Sequence, residues 1–506
     1  MQGARVRSHI TKGRTNEVPF QQDMSVGKQR THCARLPLCR LCGACSSGGF
    51  STAASALETN LGVNYLATGF YVESDSFDPG PQPTGPNGQA LDPETEDTDS
   101  DNGFAQLLRI KADLRDEKTG IEVHTSLEVS GDRFSGQDRP DQTITGRQAF
   151  NTNSNGDNVR LDQAFIDVPF DYFLLRLGRQ ESNWNNCFLV CDDRRDRALL
   201  LTSAFGVVPF FAYDRTSDNT GFNNQGNGDE IFTGVIAPIG DWELGFLYVH
   251  FFNNFSGDLV DTDPALIDTD GDGVPDSAVP GSTGTGPRNI NPQSNLNIVS
   301  PYVQGSLGPV KIATGANYAE GNNVRNNVTP ESGDIFTDSA WSEYFRVGIA
   351  LDIFELNAQY VGTQDGGLVD AGFDTYSSLI NSNPDATNRP TSVYRMGGFN
   401  GREGFDEDLF IGSVTVNVND KWSLRGAVGS LDIDAGNAGS DSSTVVDFES
   451  SYQINDILRT WATLGMLEEN DVGVLSGNSL IGSLPNDGSF AADRVIAGAV
   501  YLGAEF

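Results

Sequence analysis

The stretch LLRIKADLRDEKTGIEVHTSLEV, Leu107–Val129, decides the fold. In its first half, apolar and charged residues alternate, so that Leu108 and Ile110 share one face while Arg109 and Lys111 share the other. After the polar segment DEKTG, the alternation resumes to the end of the stretch. A period of two on both sides of a short polar, glycine-containing turn predicts a β-hairpin with one apolar and one charged face.

Hairpins of this kind recur from residue 57 to the end of the chain. Their turns are short and built from Gly, Asn, Asp or Pro, and the long connections between them are chiefly 78–102, 132–157, 254–293, 365–406 and 469–491. Short turns at one end of a sheet and long loops at the other are typical of outer-membrane barrels. The pattern predicts an all-β, transmembrane, antiparallel up-and-down β-barrel of about 18 strands. The segment 197–214, RALLLTSAFGVVPFFAYD, is the weakest hairpin, and about 16 strands remain if it is helical.

The chain ends in one more alternating strand, AGAVYLGAEF, closed by Phe506. In a barrel the last strand pairs with the first, which removes both sheet edges. A carboxy-terminal aromatic strand also resembles the signal by which outer-membrane barrels are presented to their assembly machinery. The alternative is a soluble β-sandwich or β-helix with its apolar face inward, but soluble strands average only about 5 to 6 residues.

Composition narrows the class of protein further. The 506 residues are 38% apolar with a formal net charge of −36, and no uninterrupted apolar run reaches the length of a transmembrane helix. Such acidity argues against a basic face for nucleic acid or an anionic membrane surface. The chain has four histidines and no Gly-x-Ser-x-Gly motif, metal-histidine pair or phosphate loop, so we expect no enzymatic activity.

Residues 1–56 differ from the remainder, 57–506, in being basic. Ala54-Ser55-Ala56 fits a signal-peptidase site, which predicts Leu57 as the mature start. The preceding apolar run is broken by Arg40, cysteines and glycines, so we interpret 1–56 as a degraded or mis-called signal. The competing interpretations are an iron–sulfur or zinc site and a lipoprotein anchor, on the cysteines of the segment Cys33–Cys45.

Alternation assigns charged residues of both signs to the lumen. The assigned pore-lining residues are Arg109, Lys111, Asp113, Arg115, Glu122, Glu128, Arg160, Asp162, Arg176, Arg346, Glu355, Arg425, Asp447, Glu449 and Arg459. The two signs are nearly balanced, so most of the acidic excess must lie in the loops. A mixed wall of this kind is expected of a hydrated channel rather than a strongly anion-selective one.

Two cysteines, Cys187 and Cys191, lie four residues apart in the second half of LRLGRQESNWNNCFLVCDDRRDRALLL. In an oxidising compartment a disulfide is the default, and it requires a turn between them because strand geometry would hold them too far apart. The sequence lacks a Cys-x-x-Cys-His motif, so no haem is expected on this chain.

The same segment resembles alginate-export-type outer-membrane porins, in which a strand ends in Gly-Arg-Gln and a loop rich in Asp and Arg returns into the barrel. Gly178, Arg179 and Gln180 match the first feature. The resemblance implies a constriction loop containing Arg179, Asp192, Asp193, Arg194, Arg195 and Arg197. The lumen lacks the basic surplus that a polyuronate route implies, and the cysteines are a second departure. The alternative is a surface loop joined by salt bridges.

The long connection 254–293 contains DTDGDGVPDS, with Asp268, Asp270, Asp272 and Asp276 at positions 1, 3, 5 and 9 of a calcium loop. Position 12 holds Val279 instead of a glutamate, so weaker or shared Ca²⁺ coordination is expected. A poorer copy occupies 97–101.

These observations predict an outer-membrane porin of a Gram-negative bacterium that passes small hydrophilic solutes or ions by diffusion. Two alternatives stay open: a barrel that sheathes a multihaem cytochrome as an electron conduit, and a Ca²⁺-dependent surface binding module. Outer-membrane lipid and the barrel assembly machinery are the expected partners, a multihaem cytochrome is the partner in the first alternative, and no nucleic acid is expected.

Overall fold

A computed structural model describes most of the chain from Leu57 onward. The described residues are 57–74, 100–129, 159–217, 228–253, 266–267, 277–278, 296–320, 339–370, 372–381, 391–397, 405–434, 436, 439–470 and 494–506. The leader 1–56 with its cysteines, and the calcium-loop residues Asp268 to Asp276, lie outside this part of the chain.

Eighteen strands form a single sheet within the described residues. They are β1 (Leu57–Ser74), β2 (Ser100–Asp116), β3 (Glu122–Val129), β4 (Val159–Pro169), β5 (Phe173–Trp184), β6 (Val190–Thr202), β7 (Val208–Ser217), β8 (Gly228–Ile239), β9 (Trp242–Asn253), β12 (Asn297–Leu307), β13 (Val310–Glu320), β14 (Ser339–Leu351), β15 (Phe354–Gln364), β16 (Asp406–Asn419), β17 (Trp422–Asp434), β18 (Ser440–Gln453), β19 (Leu458–Leu467) and β20 (Val495–Glu505). A separate two-residue pairing joins β10 (Leu266–Ile267) to β11 (Ser277–Ala278).

Each of the eighteen strands pairs antiparallel with its neighbours around the barrel, and β20 pairs with β1 to close it. At the seam, Tyr65 lies opposite Ala504, and the Phe506 N–H donates to the carbonyl of Val63 at 2.9 Å. The terminal strand therefore closes the sheet as its alternation predicts. The weakest predicted hairpin, 197–214, contributes to the paired strands β6 and β7, so the count is 18 and not 16.

The outer face of the barrel is apolar. Large side chains exposed on it include Leu61, Phe104, Phe211, Phe246, Phe345, Phe410, Val428, Phe448, Leu464 and Val500. A soluble sandwich or β-helix would turn this face inward, whereas a closed barrel with an apolar exterior satisfies every strand edge and suits lipid. The chain is therefore an outer-membrane barrel. No helix among the described residues is long and apolar enough to cross a membrane.

The two ends of the barrel differ as predicted. One end has eight turns of two to five residues, such as 240–241 between β8 and β9. The other end carries the long connections, of which 365–405 between β15 and β16 is the one that positions the site described next.

Candidate functional site: a constriction inside the barrel

The inner wall of β2 and β3 carries a ladder of opposed charges. Ile110 and Leu114 stand exposed on the outer face, so the alternate positions face the lumen. Arg109 donates to Glu128 Oε1 at 2.8 and 3.0 Å, and three inward-facing pairs further along the two strands Arg115 Nη1 lies 3.2 Å from Glu122 Oε1. Cross-strand pairs of opposite charge stabilise each other and leave a polar, wettable wall.

The ladder continues across β4 and β5. Arg176 makes a bidentate pair with Asp167 at 2.7 and 2.8 Å. His124 Nδ1 lies 2.8 Å from Asp113 Oδ1, and its ring stacks on Phe165. Neighbouring rungs therefore neutralise one another locally, as expected for side chains that share a partly buried wall.

Strand alternation places all fifteen residues assigned to the lumen on the inner face. On β17 to β19, at most about a quarter of the way round the sheet from β2, Arg425 Nη2 lies 2.9 Å from Glu449 Oε2, and Arg459 Nη2 lies 3.8 Å from Glu449 Oε1. Half of the Arg459 side chain is exposed, which indicates solvent at this part of the wall. Arg346 and Asp447 have another role, described below.

The predicted constriction loop is wrong in its location. Asp192, Asp193, Arg194, Arg195 and Arg197 belong to strand β6, and Arg179 to β5. Their dense Asp and Arg content reflects a ladder of ion pairs along neighbouring strands, not a loop. Arg179 lies opposite Asp196 in the register of β5 with β6.

The β6 residues nevertheless form the most connected ion network of the described wall. Arg194 Nε lies 2.6 Å from Asp162 Oδ1, and its Nη1 lies 2.5 Å from Asp192 Oδ1. The Arg109 guanidinium reaches both of these carboxylates, at 3.7 and 3.9 Å. Along the same strand, Arg197 pairs with Asp214 at 2.5 Å. Salt bridges therefore join these strands, as the alternative interpretation expected, but within the barrel wall.

The five-residue turn between β5 and β6 enters the barrel. Trp184 Nε1 donates to the Ser300 carbonyl at 3.1 Å, and Asn186 Nδ2 donates to Tyr344 Oη at 2.6 Å. Ser300 and Tyr344 belong to β12 and β14, about a third of the way round the sheet from β5. Cys187 and Cys191 form a disulfide across this turn. We call the segment Trp184–Cys191 the latch turn.

A second and larger segment lies inside the barrel, which the sequence pattern did not predict. Residues 365–370, 372–381 and 391–397 of the β15–β16 connection are mostly buried; we call them the lumen insert. Its apolar side chains are Val369, Phe373, Tyr376, Leu379, Ile380, Val393, Tyr394 and Met396. They pack on inward-facing Leu409, Ile411 and Leu431 of the wall, which the insert keeps from water.

Buried polar groups of the wall hold the insert in place. Asp447 accepts hydrogen bonds from the backbone N–H of Ser378, at 2.8 Å, and from its hydroxyl. Glu407 accepts from the Gly397 N–H at 2.6 Å and from the Tyr394 hydroxyl. A charged acceptor paired with buried donors is stronger than a neutral one, so both carboxylates act as anchors.

Arg346 is a third anchor of the lumen insert. Its Nε donates to Gln359 Oε1 at 2.9 Å, and its Nη2 donates to the Asp374 carbonyl at 2.5 Å. The guanidinium also lies 5.1 Å from the ring centroids of Phe373 and Tyr376. This residue, assigned to the pore lining from the sequence, is 5% exposed and instead secures the insert.

The latch turn and the lumen insert meet. The Phe188 ring packs edge-on against Tyr344 and Phe373, at 4.8 Å between centroids in both cases. The Asp370 N–H donates to the Phe188 carbonyl at 3.1 Å. Burial of the carboxyl raises the pKa of Asp370 above its usual value, and Arg395 opposes that rise. The latch turn extends from the β5–β6 part of the charged wall to β12 and β14, and together with the lumen insert it narrows the barrel.

No group of three or more His, Cys, Asp or Glu side chains in the described part of the chain is arranged to hold a metal ion. The predicted Ca²⁺ ligands Asp268, Asp270, Asp272 and Asp276 lie outside the described residues, between β10 and β11.

Comparison with known proteins agrees with this architecture. No protein-family model matches the chain, and neither does any curated protein. Among solved structures, OccK9 (OpdG) of Pseudomonas aeruginosa matches over 89% of this chain and 98% of its own, at 12% identity and a TM-score of 0.50. The chain has the fold of an outer-membrane porin.

Two further outer-membrane proteins match with lower scores. OmpT of Vibrio cholerae, lacking loop L8, covers 89% of this chain and 100% of its own at 9% identity, with a TM-score of 0.41. DcaP of Acinetobacter baumannii covers 90% and 99% at 11% identity, with a TM-score of 0.39. At such identities the likeness concerns the fold alone.

Proposed function

We propose that the protein is a non-enzymatic diffusion channel for small hydrophilic solutes or ions across the outer membrane. The proposal rests on a difference in polarity between two parts of the inner wall of the barrel. Where the lumen insert covers it, the wall presents Leu409, Ile411 and Leu431 together with the buried anchors of the insert, whereas β2–β6 carry ion pairs, of which Arg115–Glu122 is the most exposed to solvent. Charged side chains remain at a wall when water reaches them, so the uncovered part is the expected solute path. Planar-bilayer conductance of the purified protein tests this proposal.

Charge at the long-loop end gives the channel an expected ion preference. The connections at that end contain 32 Asp and Glu residues against nine Lys and Arg. The described lumen charges are mostly paired, so the excess at the entrance dominates the field that a solute meets. A negative entrance raises the local concentration of cations and lowers that of anions.

We therefore expect cation selectivity that weakens with salt. In a KCl gradient near 0.1 M the reversal potential should favour K⁺, and the preference should shrink near 1 M, because the Debye length falls from about 10 to about 3 Å. Replacing the seven carboxylates of the connection 75–99 by amides should move the reversal potential toward zero, whereas the same change in the short turns should have less effect. Anion preference at low salt would contradict this electrostatic account.

We also propose a more specific family among the outer-membrane porins. The match of Gly178, Arg179 and Gln180 supports an alginate-export-type porin, but the nearly balanced lumen charges do not provide the cationic path that a polyuronate needs. Transport of oligouronate fragments in liposome-swelling assays, measured against neutral oligosaccharides of equal size, tests this assignment.

The remaining expectations from the sequence stand as proposals with their own tests. Signal cleavage before Leu57 predicts that amino-terminal sequencing of outer-membrane protein starts there.

Ca²⁺ binding by Asp268 to Asp276 predicts a calorimetric signal that is lost when these residues become Asn. Recognition of the terminal strand by the assembly machinery predicts poor assembly when Phe506 is deleted. A cytochrome sheath is disfavoured because the lumen insert occupies space that the cytochrome would need, and co-purification of haem tests it.

A further inference from the structure

The backbone of the latch turn is left-handed at three successive residues, a conformation that asparagine tolerates singly and cysteine does not favour. Asn185, Asn186 and Cys187 have φ angles of 58°, 57° and 63°, three successive residues in the left-handed region. Residues other than glycine enter this region at a conformational cost, and they remain there only where the surroundings hold them. The Cys187–Cys191 disulfide closes the turn over these residues. It is the one covalent restraint on the turn besides the chain itself.

The latch turn packs closely against the inner wall of the barrel. Asn185 Nδ2 donates to Ser300 Oγ at 3.2 Å, and Asn185 Oδ1 accepts from Tyr344 Oη at 3.1 Å. A Cβ atom at Gly315 would lie 2.1 Å from Asn185 Oδ1, so only glycine lets the asparagine lie against β13. These contacts depend on the left-handed turn, because they require Asn185 and Asn186 to point to the same part of the wall.

The latch turn in turn supports the lumen insert. The Phe188 carbonyl accepts hydrogen bonds from the Asp370 N–H and from Asn317 Nδ2, and Phe188 is fully buried. Cys191 is also buried, and a Cβ atom at Gly372 would lie 2.7 Å from its Sγ. One cysteine of the disulfide therefore contacts the insert directly, while Cys187 is only half-buried.

We propose that the Cys187–Cys191 disulfide is a redox-sensitive latch that sets the width of the channel. A dithiol reductant reaches the half-buried Cys187: its thiolate bonds to Cys187 Sγ, the S–S bond breaks, and Cys191 leaves as a thiolate that takes up a proton. The second thiol of the reagent then displaces Cys187, which is also protonated. The reagent becomes a cyclic disulfide and the protein gains two electrons and two protons.

Reduction of the disulfide then changes the constriction by releasing the backbone of the latch turn. Without the covalent closure, residues 185–187 are free to leave the left-handed region, and the contacts of Asn185, Asn186 and Phe188 are lost together. The lumen insert loses the support of Phe188 and Cys191 and undocks from the wall, so that it no longer holds a fixed constriction and the channel widens. The inference rests on the proposed channel function, because its readout is the width of that channel.

Single-channel recording before and after dithiothreitol tests the latch. The oxidised protein should show discrete channels, and their absence would overturn the channel function rather than the latch. After reduction, confirmed by alkylation of both thiols and mass measurement, the current should shift toward that of a protein whose lumen insert has been excised. A C187S/C191S variant should start at the reduced level and ignore the reagent.

Two results would overturn the latch while leaving the channel intact. One is an unchanged current after complete alkylation of both cysteines. The other is a disulfide that resists dithiothreitol in the folded protein, since the latch must be reachable from the lumen. Because the wild-type protein is reduced after reconstitution, the test holds even if the double variant assembles poorly.

Discussion

Excision of the lumen insert should raise single-channel conductance by about two-fold or more, because an 18-stranded barrel without an internal obstruction leaves a wide aqueous channel. The ends of the segment are suited to a short replacement: the Gly366 N–H donates to the Phe405 carbonyl at 3.1 Å. Residues 367–404 can therefore be replaced by a few Gly and Ser residues while β15 and β16 keep their register, in which Thr363 lies opposite Glu407.

The physical reason is that the insert occupies lumen volume with a packed apolar cluster, not with a loosely placed loop. Its removal also wets Leu409, Ile411 and Leu431, so the variant should be less stable than the parent by an amount that grows with the newly exposed apolar area, about 25 cal/mol per Å². Conductance and heat-induced unfolding in detergent measure the two effects separately.

The matched control shortens the connection 471–493, which leaves the insert and its anchors in place. Its conductance should stay near the parental value. Equal conductance of the insert-deleted and parental channels would show that the insert does not obstruct the solute path, and the constriction proposed here would be wrong.

Replacing Phe373 by alanine should undock the lumen insert while the barrel persists. Phe373 is fully buried, lies 4.8 Å from the Phe188 ring and 5.0 Å from the Tyr344 ring, and lies under the Arg346 guanidinium. A buried Phe-to-Ala change typically costs about 3 to 5 kcal/mol. This free-energy cost should destabilise the docked state of the lumen insert and not the barrel, because Phe373 does not belong to any of the paired strands.

Hydrogen exchange of peptides within 366–397 measures docking directly. In F373A their amides should exchange orders of magnitude faster, as about 1.4 kcal/mol corresponds to a tenfold change in an opening equilibrium, while strands β16 to β18 keep their protection. Phe345 supplies the matched control because it lies on the outer face of β14 and is half exposed. Unchanged exchange in F373A, or equal acceleration in F345A, would contradict the assigned packing.

The barrel could be predicted because its signal is local. A period of two, short turns and a closing terminal strand are each readable within about ten residues, and pairing between chain neighbours needs no long-range information. The pore-lining assignments follow from the same period. The constriction depends instead on contacts between distant segments, such as Phe188 with Phe373, which no local period encodes.

One signal could have revealed the lumen insert. Leu409 and Ile411 lie at inward positions of β16, where a water-filled channel calls for polar side chains. Apolar residues on both faces of a barrel strand indicate that another segment of the protein covers the inner face. The connection immediately before β16 contains Phe373, Leu379 and Ile380, which are apolar residues that can cover it. Its length alone had predicted one more long external loop.

The error over Asp192 to Arg197 has a different origin. Charged pairs in succession are usual in loops, but in a lumen wall they are stable when neighbouring strands carry the opposite charges, as Asp214 of β7 does for Arg197 of β6. Asp192 also has a φ of 55°, which marks an irregularity where β6 leaves the latch turn. The extent of β6 is set by its pairing with β5, and the sequence of β6 alone does not show that pairing.

Planar-bilayer recording of the oxidised wild-type protein and of its insert-deleted variant, side by side, tests the central claim most directly. The account predicts discrete channels in both and a larger conductance in the variant. The absence of discrete channels in either protein, with folding confirmed by strand content in detergent, would contradict the claim that this barrel is a channel narrowed from within.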